Sequence, residues 1–226
     1  MTKTFDINLY DSHLIFNIDG QKVLVDTGSP VTISRSDHFM FMDQEYNCTT
    51  SLMGHDISSI SEMMGYDIDV LMGMDVIGKY EMLTDYKSAK VTFSSEEIPF
   101  EPIGTTPIMR EMGAVCVILR VKGQDVKLAL DTGARISYIA ESYTLDETEI
   151  EVREDFNPAI GRYKTPIYAM EASIDGRSFP VNFGKLPSKL AVMLQMMGIE
   201  GAIGYDLFSA FKVLLDFKNN KLLLMG

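Results

Sequence analysis

Two tripeptides in this chain carry residues suited to one chemistry, Asp26-Thr27-Gly28 and Asp131-Thr132-Gly133. Each is entered through apolar residues, Val23-Leu24-Val25 and Leu128-Ala129-Leu130, and each is followed by a small residue, Ser29 or Ala134. One chance Asp-Thr-Gly arises in a chain of this size about one time in twenty, and alone it reads as a strand entering a turn. Two of them, both ending strand-like runs, point to a reaction that needs a matched pair of carboxylates. Carboxylates held about 3 Å apart cannot both ionise, so they share one proton. The ionised member takes a proton from a water lying between them, and that water attacks a carbonyl. The protonated member donates to the carbonyl oxygen, and whichever member is then protonated donates to the leaving nitrogen. A glycine in each triplet lets backbone N–H groups approach the carboxylates.

Other chemistries find less support. His13, His38 and His55 lack metal-ligand spacing, so the reading calls for no metal and no cofactor. There is no serine-nucleophile elbow, and neither Cys48 nor Cys116 has a partner identifiable from sequence. The net charge of −12, from 32 acidic and 20 basic residues, argues against a nucleic-acid or anionic-membrane surface. Residues Met1–Asp6 lack the apolar core of a signal peptide, and no apolar run is long enough to span a bilayer. Two cysteines are too few for a disulfide framework, which leads to the expectation of reduced thiols in a cytoplasmic protein. With 226 residues and 46% hydrophobic content, the chain can form one large domain or two small ones sharing a core. The 16 methionines read as core filler.

The elements that must position the triplets occur twice. In the first half Phe5-Ile7-Leu9 alternates, Leu14–Ile18 runs into the turn Asp19-Gly20, and Val23–Val25 leads to the triplet. Ile57–Met64 has helical spacing with Gly65 as a stop, and Val70–Met72 is an apolar strand ending at Gly73 before a short helix. Ser36–Gly54 gives no firm assignment. In the second half Val115–Leu119, Gly123-Gln124 and Lys127–Leu130 repeat the order, and Gly204-Tyr205-Asp206 echoes Gly73-Met74-Asp75. Asp85 and Asp216 each lie 12 residues past these glycines (85 − 73 and 216 − 204). Such an ordered series indicates internal duplication. Asp75 and Asp206 read as helix caps, Asp85 and Asp216 as turn formers. The halves differ in one respect: triplet to glycine takes 47 residues in the first (73 − 26) and 73 in the second (204 − 131). The excess lies between Glu141 and Leu186, where alternating runs and turn residues predict a pair of long hairpins. The Pro- and Glu-rich connector 96–104 marks a boundary between 1–103 and 104–226.

With these motifs the chain resembles the pepsin/retropepsin-type aspartic peptidases. The signature is apolar-apolar-Asp-Thr-Gly followed in each lobe by apolar-apolar-Gly, here Leu71-Met72-Gly73 and Ala202-Ile203-Gly204. The resemblance implies a mostly β, bilobed acid-protease fold with pseudo-twofold symmetry and short helices. It implies a dyad of Asp26 and Asp131, with Thr27 and Thr132 bracing each other's loops and Gly28, Ser29, Gly133 and Ala134 in support. A polypeptide substrate follows, and because one chain supplies both triplets, a monomer suffices. Within the insert, Pro158–Tyr163 reads as a flap tip, with Ile160, Gly161, Arg162 and Tyr163 meeting substrate. A hydroxyl at Ser29, absent at Ala134, is expected to bond the Asp26 carboxylate and make Asp26 the ionised member. The competing reading is a catalytically inactive peptide-binding or scaffold protein of the same fold.

Overall fold

The computed structural model describes all 226 residues, 53% of them in strands and 13% in helices. Tight turns set the register of both halves. Thr2–Tyr10, His13–Ile18 and Gln21–Val25 form an antiparallel meander whose two-residue turns, Asp11-Ser12 and Asp19-Gly20, have positive φ at both positions. That geometry matches the twist of paired strands. The second half repeats it with Gly104–Glu111, Ala114–Val121 and Gln124–Leu130, turning at Met112-Gly113 and Lys122-Gly123.

The strand before the first triplet is buried on both faces, as its unbroken apolar run requires, while Gln124–Leu130 alternates between buried and half-buried positions. Val23, Leu24 and Val25 are at most 2% exposed. Val70–Met72 runs parallel to this strand and pairs on its other side, antiparallel, with Ile33–Ser34. The second half is built alike: Leu130 is in parallel register with Ile203, and Tyr138 faces Ala202 in antiparallel register. In each half the triplet therefore lies in a loop that leaves one strand and returns beside the strand inserted between. Helix Ile57–Met64 covers the outer face of the first-half sheet. Its start is capped by Asp56, which accepts the Ser59 N–H at 2.8 Å, and it stops at Gly65 with φ 71°.

A six-stranded sheet underlies both halves. Thr2–Asp6 pairs with Lys90–Ser94, that strand with Glu81–Asp85, and Glu81–Asp85 with Lys212–Asp216 of the other half. Lys221–Met225 and Gly104–Pro107 complete it. A continuous buried core of 41 residues runs through both halves. The first-half hairpin, His38–Phe41 with Gln44–Asn47, folds into this core. Phe39 and Phe41 are 1% and 0% exposed, and Phe41 lies edge-on to Phe93 with centroids 5.0 Å apart. In the second half the inserted residues form an antiparallel meander, Glu149–Asn157, Gly161–Ile174 and Arg177–Lys185.

Candidate active site

Each triplet is anchored first by its backbone. The Asp26 N–H donates to Met72 O at 3.0 Å and the Asp131 N–H to Ile203 O at 2.9 Å, which holds each loop on its inserted strand. The threonines then join the loops. The Thr27 N–H donates to the Thr132 hydroxyl and the Thr132 N–H to the Thr27 hydroxyl, both at 3.0 Å. Each hydroxyl in turn donates at 2.7 Å to the carbonyl preceding the other aspartate, Leu130 O or Val25 O. All four bonds are buried, and Thr27 and Thr132 are 2% and 1% exposed.

This frame brings the two aspartates together. An added Cβ on Gly28 would stand 2.6 Å from Asp131 Cγ, and one on Gly133 would stand 2.8 Å from Asp26 Cγ. The triplet glycines are thus required by close approach of the opposite carboxyl, whatever they also contribute to the loop's own turn. The two half-buried carboxyls stand side by side. Burial pushes both above the ordinary carboxylate value, and Asp131 rises further because the Asp26 charge faces it. Asp26 is held back by donors: Oδ1 accepts the Gly28 N–H at 2.8 Å and the Ser29 N–H at 3.0 Å. Asp131 Oδ1 has the Gly133 N–H alone, at 2.9 Å: the Ala134 N–H reaches only the Asp131 backbone carbonyl, at 3.2 Å, whereas the Ser29 N–H is shared between Asp26 Oδ1 and the Asp26 carbonyl, the latter at 3.3 Å. The unequal donor sets therefore favour the charge on Asp26 and the proton on Asp131.

The expected role of the Ser29 hydroxyl is corrected. It donates to Val31 O at 2.8 Å, turned away from Asp26, and the stabilising donor is the Ser29 backbone N–H. The reading of Asp75 and Asp206 as caps is corrected as well. Each lies in the first turn of a short helix whose N-cap is Gly73 or Gly204, with no side-chain cap bond. Asp75 accepts the Thr32 hydroxyl and Asp206 the Ser137 hydroxyl, both at 2.6 Å. The same hydroxyls accept the Gly73 N–H at 3.0 Å and the Gly204 N–H at 3.3 Å. Thr32 and Ser137 thus tie the start of each returning strand to the end of the inserted strand and the short helix after it. Sequence reading missed them, though both lie six residues past an aspartate (32 − 26 and 137 − 131). Asp85 and Asp216 do form turns, accepting the Ser88 and Asn219 N–H groups at 2.9 Å.

Residues 158–160 close the long second-half hairpin, with Asn157 paired to Gly161 at φ 80°. The tip reaches the first half. The Arg162 guanidinium donates to Met63 O at 3.0 Å, His55 Nε2 donates to Pro158 O at 3.1 Å, and Phe156 packs on the small first-half cluster around helix Ile57–Met64. Tyr163 faces inward, its hydroxyl 3.0 Å from that of Tyr138, and Ile160 is half-buried at the tip. Buried His13 donates from Nδ1 to Tyr10 O at 3.1 Å. Burial holds its pKa below the usual histidine value.

No family model matches the chain, and no curated protein matches it. Among solved structures, the aspartic proteinase from Irpex lacteus aligns with 100% of this chain and 97% of its own, at 11% identity and a TM-score of 0.56. The Simian Foamy Virus (mac) protease aligns with 41% of this chain and 90% of its own, at 18% identity and a TM-score of 0.31. The likeness to the fungal enzyme over the whole chain establishes the fold as that of the pepsin-like aspartic proteinases.

Proposed function

We propose that the chain is an aspartic endopeptidase in which Asp26 and Asp131 activate one water for attack on a peptide carbonyl. One observation carries the reading. Four reciprocal threonine bonds hold two carboxyls side by side with unequal donor sets. A groove that only binds peptides needs neither carboxyl, and crowding two half-buried carboxyls together without use is costly. Ionised Asp26 takes the water's proton while the water oxygen bonds to the carbonyl carbon. Asp131 gives its proton to the carbonyl oxygen, producing a tetrahedral gem-diol. On collapse the C–N bond breaks, the leaving nitrogen gains the proton held by Asp26, and a hydroxyl proton of the diol returns to Asp131. The dyad ends as it began, with one proton.

An extended polypeptide is the proposed substrate, paired along its backbone with the hairpin tip at Ile160, Gly161, Arg162 and Tyr163. Residues 1–103 and 104–226 each supply one carboxyl, so a monomer in the cytoplasm is the proposed working form. The test is a mixed peptide library incubated with the wild type, Asp26→Asn and Asp131→Asn across roughly pH 3 to 8. The wild type should cleave, and each variant should lose about three orders of magnitude or more, because the carboxyls act as a unit. A wild type that cleaves nothing, or a single variant with a large share of the activity, overturns the proposal.

A further inference from the structure

One side chain ties three distant segments together beside the dyad. Arg135 follows Ala134 directly, and its root is fixed because the Ala134 N–H and carbonyl both bond, to Asp131 O and from the Tyr205 N–H. The guanidinium spreads to three acceptors. Nε donates to Asp155 Oδ1 at 3.1 Å, Nη2 donates to the Glu154 backbone carbonyl, and Nη1 pairs with the Asp11 carboxylate. Asp11 belongs to the first-half turn between Thr2–Tyr10 and His13–Ile18, while Glu154 and Asp155 belong to the first strand of the long hairpin. Asp155 is buried, and its other oxygen accepts the Tyr138 hydroxyl at 2.5 Å. The Tyr138 oxygen accepts from the Tyr163 hydroxyl at 3.0 Å, and Tyr163 stands directly across the hairpin from Asp155. A planar fork can serve three acceptors at fixed angles, which a single ammonium cannot.

We propose that Arg135 is a positioning residue for the hydrolysis inferred above, on which this inference rests: it couples the hairpin to the second triplet loop and to the first half. The hairpin is long and its outer strand pairs on one side only, with Gly161–Ile174. Its tip bonds to Met63 and His55 fix height over the first half, but neither touches a triplet loop. Arg135 supplies that link. With Asp155 as the shared acceptor, Tyr163 is held at a set distance from the loop that carries Asp131. Closure of the hairpin and alignment of the second carboxyl then become one event rather than two.

The test pairs hydrogen exchange with peptide kinetics on the full chain, using Arg135→Gln, Arg135→Lys, Asp155→Asn and Asp11→Asn. In Arg135→Gln, amides of Glu149–Pro166 should exchange about tenfold faster or more, while those of Gln21–Val25 and Gln124–Leu130 keep wild-type rates. Where peptide is cleaved, kcat should fall about tenfold with a smaller change in KM. Arg135→Lys should not rescue either readout. Asp11→Asn removes only the half-exposed first-half partner, so it should show the same local pattern at smaller size even if Arg135→Gln fails to fold. Hairpin amides at wild-type rates, acceleration spread over the whole chain, or full rescue by lysine would overturn the inference. If the wild type cleaves no peptide, the hydrolytic reading falls and the inference with it, whereas exchange unchanged in a cleaving enzyme removes the Arg135 role alone.

Discussion

Replacing Thr27 with valine measures how much of the site's geometry depends on the threonine bonds. Valine has nearly the shape of threonine without the hydroxyl. In the native protein that hydroxyl accepts the Thr132 N–H at 3.0 Å and donates to Leu130 O at 2.7 Å. Thr132 is 1% exposed and Leu130 0%, so water does not replace the lost partner. Two stranded buried groups at about 1–3 kcal/mol each give about 2–6 kcal/mol, and partial relaxation of the loops brings the expected loss to about 2–4 kcal/mol. In a chain of this size each kcal/mol lowers the thermal midpoint by about 2–4 °C, so a fall of about 4–16 °C is expected. Thr132→Val removes the mirror bonds, to the Thr27 N–H and Val25 O, and should cost the same. The double variant should cost less than the sum, because loops already parted have less to lose. Thr27→Ser keeps the hydroxyl and should stay within about 1 kcal/mol of the wild type. Denaturant unfolding gives the energies, and kcat/KM measured where every variant is folded gives the catalytic share. Valine variants within about 0.5 kcal/mol of the wild type, or serine as damaging as valine, would refute the bracing role.

Two further outcomes follow from the protonation of the dyad. Asp131 keeps its proton when folded at pH values where the unfolded carboxyl has lost it, so its contribution to stability is full below the ordinary value of 3.8 and declines as pH rises through the raised folded value. Thermal midpoints of the wild type should therefore fall with pH across that window relative to Asp131→Asn, and parallel curves would contradict the assignment. Ser29→Ala removes a hydroxyl that bonds Val31 O rather than Asp26, so the pH–rate profile should not move, and stability should drop by about 1 kcal/mol. An acidic limb displaced upward in that variant would return the hydroxyl to the carboxylate.

The triplets, the meander before each and the helix at Ile57–Met64 were legible because they depend on local pattern. Apolar runs, the Asp19-Gly20 turn and a terminal glycine each leave a signal within a few residues. The hairpin His38–Asn47 was not legible for the same reason inverted. Its turn, Met42-Asp43, takes φ values of 53° and 60° without glycine or asparagine, and its alternation covers only Phe39 and Phe41. Asp75 and Asp206 followed the rule for helix starts by position, but the chain turns their carboxylates onto Thr32 and Ser137 instead. The Arg135 cluster joins positions 20 and 124 residues apart, and nothing in a linear pattern marks such a meeting.

A duplicated frame sets a problem that the departures from duplication resolve. Two identical loops related by a twofold axis would present identical carboxyls, and a proton shared between them would have no preferred owner. The proposed reaction needs a base and an acid at the same moment. Here the threonine bonds keep the symmetric part, with matched lengths of 3.0 and 2.7 Å on both sides. Asymmetry enters at the next residue, where the Ser29 N–H turns to Asp26 Oδ1 but the Ala134 N–H turns only to its own loop's carbonyl. It enters again in the hairpins. The first half spends its hairpin on the core, seating Phe39 and Phe41, while the second extends its own across to Met63. Arg135 follows the loop with the poorer donor set, so the hairpin is tied to the protonated carboxyl's side of the pair. On the proposed mechanism that is the side from which the carbonyl oxygen receives its proton. A substrate clamped by the hairpin would then have its carbonyl oriented toward the acid before the base acts on water.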